Sequence, residues 1–273
     1  MSKIHLAVLI ALLYLPFAAK SQSRSENLFK EHNSLSFFFS PRVQYFTPSQ
    51  SFLFYEGAAV FNKNFPIGHS FPLNSISDIY NTIGYEHKAS ENWYLGISGT
   101  LRSRFARTIP SYRINITHIG NIKSFKFIKE VSLHYIDNPK SDNPHVIVSD
   151  EGIVSFYFKL LKRFKLSNSQ FVDAYIGYRP SIYFDYVNDN YSAYDGRTID
   201  FTRGFLGVNY SISNSVLVGV YAAKETSYWY RGVKILDVEK VNTITPVVGL
   251  NFTYLFKQNR ENQEESPYYY FRH

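Results

Sequence analysis

The sequence predicts an all-β chain that folds as a transmembrane, antiparallel, up-and-down β-barrel of about ten strands, with twelve as the alternative count. Three observations carry that expectation. In VVGLNFTYLF, Val247 to Phe256, the residues Val248, Leu250, Phe252, Tyr254 and Phe256 fall on every second position, with Gly249, Asn251 and Thr253 between them. A strand places alternate side chains on opposite faces, so this segment has one apolar and one polar face. The chain is also 18% aromatic, with 23 Tyr and 24 Phe, which is heavy for a soluble domain. Its mean hydropathy of −0.22 suits a barrel equally well, because only alternate residues meet lipid. Third, long and short connections alternate along the chain, as they do in outer-membrane barrels.

The chain opens with MSKIHLAVLIALLYLPFAAKSQS, in which Lys3 precedes an apolar run from Ile4 to Ala19 and then small residues. Ala19 and Ser21 fit the −3 and −1 positions of a signal-peptidase site. Residues 1–21 are therefore expected to be a signal peptide for Sec-type export, cleaved before Gln22. No later stretch approaches the roughly 18 uninterrupted apolar residues of a membrane-spanning helix. Residues 22–33 are expected to form a periplasmic segment, 34–256 the barrel and 257–273 a periplasmic tail.

Ten strands are expected at 34–46, 77–86, 92–106, 112–119, 122–136, 152–166, 170–187, 197–211, 215–230 and 241–256. In the first, Leu35, Phe37, Phe39, Val43 and Tyr45 share one face, opposite Ser36, Ser40, Arg42 and Gln44. In the third, Trp93, Leu95, Ile97 and Leu101 oppose Tyr94, Ser98, Thr100, Arg102 and Arg104. Gly120-Asn121 is expected to be a two-residue hairpin turn, because both residues tolerate positive φ. Loop 47–76 lacks sustained alternation, yet Ser51 to Phe61, SFLFYEGAAVF, is too apolar for a free loop. It is expected to be an outer hairpin arm, a plug inside the barrel or a short capping helix. An even strand count with short periplasmic turns puts both termini in the periplasm. A soluble β-sandwich, the competing architecture, calls for strands of about 5–6 residues, shorter than most of these.

Gly249, Phe252, Tyr254 and Phe256 resemble the carboxy-terminal assembly signal of bacterial outer-membrane barrels, a glycine followed by spaced aromatics. That resemblance implies recognition by the barrel-assembly machinery. The chain departs from it by continuing to His273. With its leader and strands, the whole resembles Gram-negative outer-membrane proteins as a class, which implies an outer-membrane location and outer-membrane lipid as a partner.

The inward candidates are Arg42, Arg102, Arg104, Arg113, Lys126, Glu130, His134, Lys159, Asp173, Arg179, Asp185 and Glu225. In a narrow barrel such side chains fill the lumen and pair with one another. Clustered arginines also permit a lumen that prefers anions. KRFK, Lys162 to Lys165, reads as an interfacial strand end. The chain has no cysteine, which excludes a disulfide scaffold and thiol chemistry. No cofactor, metal or nucleic acid is expected, and no basic run is dense enough for nucleic-acid binding. Asp185, Asp189 and Asp195 follow no metal-loop spacing. Ile116 to Asn121, ITHIGN, resembles the His-x-Ser-Asn motif of barrel lipid hydrolases, but Gly120 stands where the nucleophile would be. The functional expectation is a non-enzymatic structural or partner-binding barrel. A small anion-preferring channel and a barrel hydrolase or protease are the alternatives.

Overall fold

The computed structural model describes residues 28–62, 76–104, 107–137, 151–167, 170–185, 199–231 and 239–257. Their strands are β1 (Leu28–His32), β2 (Ser36–Phe46), β3 (Phe52–Asn62), β4 (Ile76–Lys88), β5 (Trp93–Arg104) and β6 (Arg107–Ile122). The second half contributes β7 (Phe125–Ile136), β8 (Glu151–Lys165), β9 (Phe171–Asp185), β10 (Phe201–Ser213), β11 (Val216–Arg231) and β12 (Glu239–Lys257). Neighbours from β2 to β12 pair antiparallel, and β12 then pairs with β2 to close the ring. The expected all-β transmembrane barrel is thus observed, with eleven strands in the ring and β1 outside it.

The closing seam is parallel, Val247 lying beside Ser36 and Lys257 beside Phe46. An odd number of strands forces this, because the first and last then run the same way. β1 adds five parallel pairs to the upper part of β12, Leu28 beside Lys240 through His32 beside Ile244. Between β1 and β2, the Asn33 amide donates to Ile244 O, and its side-chain amide donates to Thr245 Oγ1 at 2.9 Å. The described chain therefore enters at one rim and leaves at the other. The expectation of both termini on one side rested on an even count, which eleven strands do not supply.

The missing strand is β3. Residues 52–62, expected as arm, plug or cap, form a full wall strand between β2 and β4. Phe52, Phe54, Ala58 and Val60 are buried inward, whereas Leu53 and Tyr55 are exposed outward. Apart from Glu56, both faces are apolar, because this strand helps line the packed part of the lumen, so little polar alternation marks it. The expected Gly120-Asn121 turn is likewise displaced. Both residues are in β6, opposite Phe127 and Lys126, and the turn is Lys123-Ser124. Lys123 takes φ 54°, the left-handed conformation such a tight hairpin needs.

Short connections at 47–51, 89–92, 123–124, 166–170 and 214–215 share one rim, here the short-turn rim. At the opposite, long-loop rim β3, β7 and β9 end, and β4, β8 and β10 begin there after thirteen to fifteen intervening residues. The ring strands are 11 to 19 residues long, enough to cross a membrane at a tilt. Their outward positions form an apolar band: Ile83, Ile97, Ile114, Ile176, Leu206 and Val220 are each more than half exposed. In water this area would be unfavourable; in lipid it is solvated. On β12, Val248, Phe252, Tyr254 and Phe256 face out, while Asn251 and Thr253 are fully buried within. The apolar face of the carboxy-terminal strand is therefore the outside of the protein.

Candidate functional site

Inside the ring, the two halves of the lumen differ. Toward the short-turn rim lies a continuous apolar cluster that includes Phe46, Phe52, Phe54, Tyr94, Ile128, Tyr157, Leu161, Tyr175, Phe205, Leu217, Tyr221 and Leu255. These side chains come from nearly every ring strand, so they meet across the lumen and form a seal. Phe205 stacks on Tyr157 at 5.5 Å between centroids and meets Tyr175 edge-on at 6.2 Å. Glycines make room for the rings. A Cβ on Gly249 would lie 2.0 Å from the Tyr221 ring, and one on Gly177 would lie 2.1 Å from that of Phe205. Gly249, the glycine of the stretch that resembles an assembly signal, thus has a packing reason to lack a side chain.

Inside or beside the seal, Arg163 is paired with a carboxylate, whereas the Lys159 ammonium meets a ring but has no hydrogen-bond partner among the described residues. Arg163 grips Asp173 with two bonds, 2.7 and 2.8 Å, and lies over the Phe171 ring at 3.7 Å. Arg163 lies near the end of β8, as expected of KRFK, and its side chain faces inward. Lys159 is fully buried with its Nζ 3.9 Å from the Tyr175 ring centroid. Along β4–β7 a polar ladder runs through the wall: Asn115 donates to Glu86, and Thr117 donates to Glu130 at 3.1 Å. Glu130 also pairs with Arg113. Lys126 holds an inward position near the same rim, opposite buried Leu161.

Above the seal, toward the long-loop rim, a cavity of about 450 Å³ opens. Arg42, Arg102, Arg113, Arg179 and Arg203 line this vestibule, together with His134, Glu56 and Glu225. Arg42 pairs with Glu56 at 3.2 Å, Arg102 with Asp78 at 2.8 Å and Arg203 with Glu225 at 3.2 Å. The Arg42 guanidinium also sits 4.2 Å above Phe54, at the boundary with the seal. With Arg113 on Glu130, four of the five guanidiniums have a carboxylate. The Arg179 guanidinium makes no hydrogen bond or ion pair among the described residues. Its partner in register on β10 is Arg203, another cation.

Of the sequence candidates, the vestibule gathers Arg42, Arg102, Arg113, His134, Arg179 and Glu225. Glu130 reaches it through Arg113, whereas Asp173 and Lys159 belong to the seal. The side chains of Arg104 and Asp185 lie outside the described residues. Sequence reasoning misses Glu56, because its apolar inward neighbours on β3 hide the alternation. It misses Arg203 because inward Phe201 and Phe205 flank it, hiding a polar face. His118, the remnant of the hydrolase-like motif, packs edge-on against outward Trp93 at 4.6 Å, away from the lumen. No group of three or more metal-binding side chains occurs among the described residues.

No protein-family model matches the chain, and no curated protein matches it in sequence. Among solved structures, the NanC porin in a rhombohedral crystal form aligns with 9% identity and a TM-score of 0.41. The alignment covers 68% of this chain and 78% of that one. A likeness this slight carries no weight for function.

Proposed function

We propose that this chain is a bacterial outer-membrane barrel with a closed lumen, serving as an envelope or partner-binding protein rather than as an open pore. The seal carries this reading. Rings and aliphatic side chains from almost all ring strands fill the short-turn half, and Ser51, Gln44, Asn251 and Thr253 beside them are at most 1% exposed. Packed interiors are rigid on time average, so ions have no standing path. The outward aromatics of β12 support delivery by the barrel-assembly machinery, with short turns periplasmic. The vestibule and long-loop rim would then face outside.

A small anion-preferring channel is the second reading, favoured by the arginines above the seal and requiring the seal to move. Planar-bilayer recording of refolded full-length protein separates the two. A closed barrel gives no discrete steps across moderate voltages. Steady, anion-selective openings from the unmodified chain would make it a channel.

A further inference from the structure

The geometry points to an oxyanion-binding pocket in the vestibule, anchored on Arg179, for a small organic molecule bearing one carboxylate or phosphate. Arg179 and Arg203 are directly opposed on neighbouring strands and both face the cavity. Like charges in that relation destabilise a sheet. Glu225, the register partner of Arg203 on β11, pairs with Arg203. Glu225 is also the carboxylate whose field reaches Arg179, and it forms no ion pair with it among the described residues. One guanidinium is therefore left over, beside a second, in a partly enclosed space. Such a fork matches a planar or tetrahedral oxyanion bidentately.

The rest of the cavity argues for an organic ligand. Phe38, Tyr80, Tyr183 and Phe201 also line it, giving apolar and stacking surface around the charged side. The volume of about 450 Å³ lies within the range of small-molecule pockets. Blocked below by the seal, the pocket fills and empties from the long-loop rim. This inference goes beyond the closed-barrel reading and is tested apart from it, since closure is measured as conductance and binding as heat.

Full-length protein refolded in a neutral sugar detergent, which carries no phosphate, is titrated calorimetrically with benzoate, phenyl phosphate and neutral benzyl alcohol. At least one of the two anions should bind, and benzyl alcohol should not. Arg179→Gln should weaken that binding at least tenfold without lowering the melting temperature, because a surplus like charge is removed. Arg179→Lys, which keeps the charge but loses the fork, should also bind more weakly than wild type. The proposal is overturned if neither anion binds, if the alcohol binds as well as the anions, or if either variant binds like wild type. It is also overturned if Arg179→Gln melts well below wild type, since Arg179 would then be part of the frame.

Discussion

The two halves of one lumen are packed by opposite means. Near the short turns, rings lie over glycines: Tyr221 over Gly249, Phe205 over Gly177 and Phe54 over Gly84. Near the long loops, guanidiniums meet carboxylates around open space. The wall is the same sheet throughout, and the same strands serve both halves. β10, for example, supplies Phe205 to the seal and Arg203, two positions away, to the vestibule. Changing inward residues along each strand is enough to turn a filled interior into a lined one. Stability is therefore concentrated in the lower half, and the upper half is free to carry binding groups.

The largest expected effect comes from emptying the seal. Phe205 is 7% exposed and contacts two further rings. Phe205→Ala should cost about 3–5 kcal/mol, as for other buried aromatic truncations. Urea unfolding of the refolded barrel checks this. The double variant Phe54→Ala/Phe205→Ala should begin to conduct in bilayers. A stable, silent double variant would mean that the seal lies elsewhere.

This division of labour explains what the sequence disclosed. Wherever the inner face is polar, as in β2 with Ser36, Ser40, Arg42 and Gln44, alternation identified both the strand and its facing. Where the inner face joins the seal, the contrast disappears, and β3 was lost with it. Losing one strand turned eleven into ten, and the inferred closure changed from parallel to antiparallel. The turn was misplaced because Gly120-Asn121 suits a hairpin chemically, but the register of β6 against β7 puts the bend at Lys123. For the site, arginines on polar faces could be read, whereas Arg203 and Arg163 sit between aromatics or lysines and could not. Which guanidinium lacks a carboxylate depends on cross-strand register, which a single sequence does not state.

A smaller effect tests the ring-on-glycine fit. Gly249→Ala brings a methyl to 2.0 Å from the Tyr221 ring, so the ring or the strand must shift. Overpacking of this kind costs about 1–3 kcal/mol. Because Gly249 also belongs to the stretch that resembles an assembly signal, Gly249→Ala alone leaves two explanations for a poorly assembled protein. Combining it with Tyr221→Ala decides between them. If packing is the cause, the alanine costs less in the double variant than in wild type, and the difference in unfolding free energy measures the clash. If recognition is the cause, in-cell assembly stays impaired although refolding in detergent is normal.

The smallest effect belongs to the vestibule wall. Thr82 and Thr100 share a hydrogen bond of 2.9 Å between Oγ1 atoms, and both line the cavity. Thr82→Val removes that bond, but it leaves the Thr100 hydroxyl facing space that water can enter. The cost should then be about 0.5–1 kcal/mol, the net worth of one hydrogen bond, with no further desolvation penalty. Thr82→Val/Thr100→Val should cost no more than the single change. In the seal, by contrast, an orphaned hydroxyl would have no water to turn to, and the penalty would be several-fold larger. Urea midpoints of the single and double variants make the measurement. A Thr82→Val cost approaching that of Phe205→Ala would show that the upper half is packed as tightly as the lower, and the contrast between seal and vestibule would fail.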